Sequence, residues 1–186
     1  MDNSDGKPPI ILDLCSGTGA WSQPYVDAGY DVRRFTLPIY DVRRIHWRFG
    51  PVRGVLAAPP CTEFAVSGAR WWASKPPHLL EEAVAVVQAC LRIIDEAKPA
   101  WWALENPVGR LSKFIGPPVC YFQPWEYGDP WTKRTGLWGR FTVPAKTPVT
   151  PAEKSPIHYM PPSPERAALR SITPAGFARA FAEANR

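Results

Sequence analysis

The sequence predicts an α/β chain built on a doubly wound, mostly parallel sheet. Two observations carry this expectation. Short apolar runs at residues 10–14, 52–57 and 101–104 alternate with helical patterns, and each run ends abruptly in turn chemistry: CSGTG, PPC and ENP. Sheets of this kind bind ligands outside the carboxyl ends of their strands, so the three endings become the candidates for function. With 186 residues, 45% hydrophobic and 21% charged, the whole chain, 1–186, is expected to form a single domain around a real core.

Taken in order, IILDL at 10–14 is an apolar strand, and the glycines of CSGTG open backbone conformations that other residues avoid. Residues 21–28 then read as a short helix closed by Gly29, followed by strands at 31–37 and 52–57. The clearest helix covers 77–97. Its Leu80, Val84, Val87, Leu91 and Ile94 recur at steps of three or four, with Glu81 and Glu82 near the positive end and Lys98 at the other. The run at 101–104 is another strand, expected to stop at ENP. In SITPAGFARAFAEAN, Thr173 is expected as the N-cap and Pro174 as the first position of a closing helix, with Phe177 and Phe181 one turn apart. The chain has twenty-three prolines, and they crowd residues 117–130 and 144–164 most, which are expected to be ordered loops or extended segments.

Composition excludes some classes. Neither a leader pattern nor an apolar run near the roughly 18 residues of a membrane span is present, so a cytoplasmic chain without membrane contact is expected. The four cysteines form no CxxC pair, which argues against a zinc site and leaves free thiols and no metal. A net charge of +5 favours anionic partners such as nucleic acid, although such an excess is also common on indifferent soluble surfaces.

Each strand end has a functional and a plain structural reading. CSGTG lacks the third glycine of a dinucleotide fingerprint, so it suits the amino-acid part of S-adenosylmethionine better than a phosphate; the alternative is a glycine turn that only tightens the loop. Asp41 is placed to accept from an adenine amine or a ribose hydroxyl, or is a solvated turn acid. Cys61, behind Pro59 and Pro60, is either a small buried cysteine or a nucleophile whose thiolate is favoured by backbone amides if a helix begins soon after. Glu105 and Asn106 are expected at the same sheet edge, where a glutamate behind Trp101 and Trp102 carries a proton at neutral pH or caps and ion-pairs. A cysteine nucleophile beside a proton-donating glutamate, both near a cofactor turn, is a much rarer coincidence than either alone.

The order DLCSGTG, PPC, ENP, TKRT and TPAGF resembles the cytosine-5 DNA methyltransferase family, and most closely its short phage-type members, over most of the chain. The resemblance implies a Rossmann-like S-adenosylmethionine-dependent methyltransferase fold. It implies that Cys61 adds to carbon 6 of cytosine, Glu105 engages ring nitrogen 3, Asn106 positions the Cys61 loop and Arg134 contacts the cytosine or its phosphate. S-adenosylmethionine would be held by Leu14, Cys15, Ser16, Gly17, Thr18, Gly19 and Trp21, by Asp41 and Val42, by Pro59 and by Thr173. DNA would be the partner, in the host cytoplasm if the chain is phage-encoded; the oligomeric state is left open, a homodimer being one option because a chain this small could use a second copy to complete a DNA cleft. Arg33, Arg34, Arg43, Arg44, Arg48, Arg53, Lys133, Arg134 and Arg140 are either phosphate contacts or solvated charges. Trp71 and Trp72 either stack on bases or pack in the core.

Three departures from the family stand out. Thr36 occupies the place of a ribose-binding acid, TKRTG keeps only Arg134 of a QxRxR pattern with Thr132 and Gly136 at the outer positions, and the proline-rich passage 144–164 stands in place of a target-recognition domain. Short or relaxed sequence specificity is the expected consequence. Methylation of a free cytidine nucleotide or of RNA, and a weakly active fold that binds nucleic acid through a basic face, are the alternatives.

Overall fold

IILDL, buried from its second residue on, forms the central strand β1 (Ile10–Leu14) of a computed structural model that describes residues 6–152, 159–163 and 165–186. The strands β2 (Asp31–Phe35), β3 (Gly54–Ala57), β4 (Trp101–Pro107), β5 (Cys120–Phe122) and β6 (Thr135–Arg140) complete a six-stranded sheet in the order β2-β1-β3-β4-β6-β5. The first four run parallel, while β6 is antiparallel to both β4 and β5.

Side-chain alternation along these strands makes two cores, as a sheet covered on both faces requires. Leu12, Leu14, Val55, Ala57 and Leu104 point to one face, under Val87, Cys90, Ile93 and Ile94 of α2 (Pro77–Ala97). Ile11, Leu56, Ala103 and Leu137 point to the other, against Trp21, Tyr25, Phe177 and Phe181. These rings come from α1 (Gln23–Asp27) with the turn before it and from the closing helix, whose Phe177 stacks on Phe122 at 3.8 Å. Gly54 begins β3 because a Cβ there would lie 2.1 Å from the Trp101 ring.

Helix α2 has the bounds its periodicity predicts, and Lys98 ends it in the left-handed region at φ 45°. Four expectations need correction. Strand β4 does not stop at ENP: β6 goes on pairing with it through Glu105↔Leu137, Asn106↔Gly136 and Pro107↔Thr135. The 117–130 passage includes the edge strand β5, extended as expected, but also a helical element, a 3₁₀ turn at Pro124–Tyr127, that was not. After α3 (Ser112–Ile115) and α4 (Arg166–Ser171), the closing helix α5 (Ala175–Ala184) has Pro174, not Thr173, at its N-cap position and no side-chain cap of its own. Asp129 Oδ2 instead accepts from the Gly176 amide at 2.8 Å, satisfying one of the amides that a helix start leaves unpaired. Helix α1 is five residues long, shorter than expected, with Gly29 beyond it at φ 83°.

Of the passage 144–164, residues 153–158 and 164 lie outside the described residues. The described part before them is extended, tied by the amides of Thr147, Val149 and Ala152 to the carbonyls of Glu126, Trp125 and Pro130.

Candidate active site

Three strand ends converge. After β1, the chain turns through Cys15, held at φ 57°, and through Gly17 and Gly19 at φ 51° and 74°. Arg34 clamps this turn from β2: its Nη2 donates to the Gly19 carbonyl at 3.1 Å and its Nε to Ser22 Oγ at 3.0 Å. After β3, Ala58 N donates to the Leu14 carbonyl, and the diproline carries the chain to Cys61. Because β3 has ended, the β4 side facing it has no strand partner past Leu104. Asn106 fills that gap by donating Nδ2 to the Pro59 carbonyl at 2.9 Å.

A cavity of about 70 Å³ opens among these ends, lined by Asp13, Ser16, Cys61, Glu105, Lys133 and Thr173 among others. Of the sequence-predicted residues, Cys15, Gly17, Thr18, Trp21 and Pro59 also border it. It adjoins a cleft of about 780 Å³ that again includes Cys61 and reaches Thr36, Asp41, Val42, Trp71 and Arg134. Leu14 and Gly19 border neither space: Leu14 is fully buried, and the Gly19 carbonyl holds Arg34. Asn106 reaches the site only through Pro59.

The acids differ in state. Glu105 is 8% exposed, its Oε2 has no hydrogen-bond partner among the described residues, and burial raises its pKa against the opposing influence of Lys133. Asp13, on the same side of the sheet but two strands away, is 1% exposed, and neither of its carboxylate oxygens has a hydrogen-bond partner among the described residues. Burial pushes its pKa up to about 6, with Ser22 and Arg34 offsetting only part of the effect. Asp41, by contrast, is held at about 2 by Arg43, which closes a bidentate ion pair on it at 2.7 Å and donates its backbone N–H as well. The expected open acceptor is therefore engaged, as the N-cap of a 3₁₀ turn at Val42–Arg44.

The Cys61 thiol departs from expectation too. No helix begins directly after it: its carbonyl accepts from Phe64 N and Ala65 N in a turn, and the 3₁₀ segment Val66–Trp71 comes later. Burial and then the Glu105 charge raise its pKa, while Lys133 and Arg170 oppose them. The loop beyond it is pinned by Glu63, which pairs with Lys75 at 2.6 Å and sits 3.8 Å from Arg110, while Arg110 Nε donates to the Glu63 carbonyl. Arg110 also lies over the Trp72 ring at 4.4 Å, so Trp72 is packed, whereas Trp71 is 55% exposed.

Among the nine basic residues named as candidate phosphate contacts, five are occupied. Arg33 pairs with Asp31, Arg34 holds the glycine turn, Arg43 holds Asp41, Arg53 donates to the Arg186 carbonyl and Arg140 to that of Pro99. Arg53 and Arg140 lie at the opposite end of the sheet, beside the starts of β3 and β4. Arg134 is exposed and stacks over Tyr121 at 4.4 Å. Asp13, the Glu63 clasp and Arg170 were not singled out from the sequence. Asp13 carried a signal, as an acid inside an otherwise apolar strand; Arg170 carried none.

No family model matches the sequence, and no curated protein matches it. Among solved structures, the chain is similar to one described as a prophage-encoded DNA modification methyltransferase (E. coli), at 17% identity and a TM-score of 0.53 over 76% of this chain and 53% of that one. It is also similar to the Entamoeba histolytica methyltransferase EhMeth, at 14% identity over 84% of this chain and 61% of that one. The TM-score there, 0.46, is too low to bear on the fold. The chain thus spans little more than half the length of these structures. With the sheet order above, the first likeness shows that the chain shares the Rossmann-like α/β fold of that structure.

Proposed function

We propose that the chain is an S-adenosylmethionine-dependent methyltransferase that methylates carbon 5 of cytosine in DNA through a covalent Cys61 adduct. The observation that carries this reading is that Cys61 and the buried Glu105 line one cavity with the Ser16, Gly17 and Thr18 turn.

The residues present suit the cofactor. Asp13 offers a buried, unpartnered carboxylate for an ammonium group, and Ser16 Oγ and Trp21 Nε1 are buried polar atoms that also lack partners. Phe35 and Tyr40 give the adjoining cleft an aromatic wall for an adenine. When bound, S-adenosylmethionine supplies an electrophilic methyl group.

Lys133 and Arg170 favour the Cys61 thiolate, whose sulfur adds to carbon 6 while Glu105 gives its proton to ring nitrogen 3. The carbon 5–carbon 6 π pair moves toward carbon 5, which becomes enamine-like and takes the methyl group. Solvent water takes up the carbon-5 proton, the Cys61 sulfur leaves as its thiolate while the carbon 5–carbon 6 double bond re-forms, and ring nitrogen 3 returns its proton to Glu105, which restores both ring and enzyme. Carbon 6 is inaccessible within a duplex, so the target base is flipped out or already unpaired.

The test incubates the protein with labelled S-adenosylmethionine and, in parallel, double-stranded DNA, single-stranded DNA, RNA and deoxycytidine monophosphate, with mass spectrometry for 5-methylcytosine. Methylated DNA is the expected product. No transfer to any of the four sinks the reading, and transfer to the free nucleotide or to RNA alone replaces DNA as the substrate.

A further inference from the structure

Gly136, where the resemblance leads one to expect an arginine, is closely flanked and carries no side chain. A Cβ there would lie 3.0 Å from the Trp138 ring and 3.3 Å from Pro118 Cβ, inside a β6 strand paired on both sides. A cation needed at the reacting nucleotide must come from elsewhere in the fold.

Five cationic side chains line the cleft that contains Cys61: Arg43, Lys75, Lys133, Arg134 and Arg170. Arg43 is spent on Asp41, Lys75 on Glu63, and Arg134 lies against the Tyr121 ring. Lys133 and Arg170 have no ion-pair partner among the described residues. They arrive from separate elements, Lys133 from the segment leading into β6 and Arg170 from α4, just after the proline-rich passage. Lys133 borders the inner cavity as well as the cleft. Both line the cleft together with Cys61, and the charge of each lowers the pKa of its thiol.

We propose that Lys133 and Arg170 form an anion subsite beside Cys61 that takes the phosphate of the cytosine nucleotide being methylated, Arg170 supplying the cation that Gly136 cannot. A guanidinium and an ammonium lining one cleft from separate elements suit a phosphate, the guanidinium giving a planar fork and the ammonium a point charge. This proposal rests on the cytosine reading above for the identity of the nucleotide, though not for the anion subsite itself.

The experiment compares the wild type with R170Q, R170K and K133Q on a single-stranded cytosine oligonucleotide, deoxycytidine monophosphate and deoxycytidine. KM and kcat are measured for each, together with calorimetric binding of the monophosphate and a melting curve for folding. R170Q is expected to raise KM for a phosphorylated substrate about tenfold, with R170K recovering part, while KM for deoxycytidine and for S-adenosylmethionine stays unchanged. A loss on the oligonucleotide identifies a strand phosphate and a loss on the monophosphate a free nucleotide; either supports the subsite. Unchanged KM for both, or a loss that falls on S-adenosylmethionine and so assigns Arg170 to the cofactor carboxylate, overturns it. If the wild type transfers no methyl group at all, the functional reading falls alone. The subsite is then judged by monophosphate binding, supported if R170Q and K133Q abolish it and overturned if they do not or if the wild type binds none.

Discussion

Asn106 and Pro59 are joined by a buried hydrogen bond of 2.9 Å that takes over where the ladder between β3 and β4 ends. Regular pairing would require the β3 chain to continue straight, which the diproline prevents; the Asn106 side chain replaces the missing contact and fixes where the chain leaves for Cys61. Asn106→Ala leaves the Pro59 carbonyl without its donor, which costs about 1–3 kcal/mol. The expected outcome is a lower urea midpoint and a fall in kcat of about ten- to hundredfold. An unchanged kcat would separate this bond from the reaction.

The pH dependence follows from two raised pKa values. Attack needs Cys61 deprotonated and Glu105 protonated, so kcat/KM is expected to be bell-shaped with one limb set by each group, and burial moves both limbs to higher pH. Lys133 lowers both pKa values, so Lys133→Gln moves both limbs to higher pH. Arg170 acts on Cys61, so Arg170→Gln moves the Cys61 limb alone. A pH–rate profile in which neither limb responds to either substitution contradicts this electrostatic assignment.

Asp13 makes folding depend on pH in a definite direction. Its folded pKa of about 6 lies above the unfolded value of 3.8, so the folded state binds the proton more tightly. The stability this gives is complete below pH 3.8 and is lost as pH rises through 6, by about 3 kcal/mol. Asp13→Asn lacks this loss. Chemical denaturation at pH 4 and pH 7.5 is expected to show a steeper decline in the wild type than in the variant.

Gly109 permits the close approach that anchors the loop after Cys61. A Cβ there would lie 1.8 Å from the Phe64 carbonyl oxygen, so Gly109→Ala must push the Ala65↔Gly109 bridge apart. A destabilisation of about 2–4 kcal/mol is expected, with kcat falling more than KM rises, measured by thermal unfolding and steady-state kinetics.

What the sequence disclosed follows from where its signals are strong. Helix α2 was legible to the residue because its apolar stripe is long and Pro99 closes it. The ends of β1 and β3 were legible because glycine and proline punctuate them. Strands β5 and β6 were not, because CYF is three residues long among prolines and TGLWGR carries two glycines; the antiparallel pairing with β4 forms them, not local propensity. That same pairing draws Glu105 and Asn106 into the strand. Thr173 carried a capping signal, yet Asp129, 47 residues away, bonds the α5 amide instead, a long-range contact that local spacing does not reveal. Arg170 became visible only when α4 was seen to border the cleft.

The central claim is that the Cys61 sulfur bonds to the target cytosine, and 5-fluorocytosine tests it most directly. Fluorine at carbon 5 cannot leave as a proton does, so the adduct persists after methyl transfer. Single-stranded DNA containing the analogue is incubated with the protein and S-adenosylmethionine, and the digested complex is examined by peptide mass spectrometry. The account predicts a stable conjugate on the Cys61 peptide that depends on S-adenosylmethionine and is absent in Cys61→Ser; methyl transfer to unmodified cytosine without any such conjugate, or a conjugate at another residue, contradicts it.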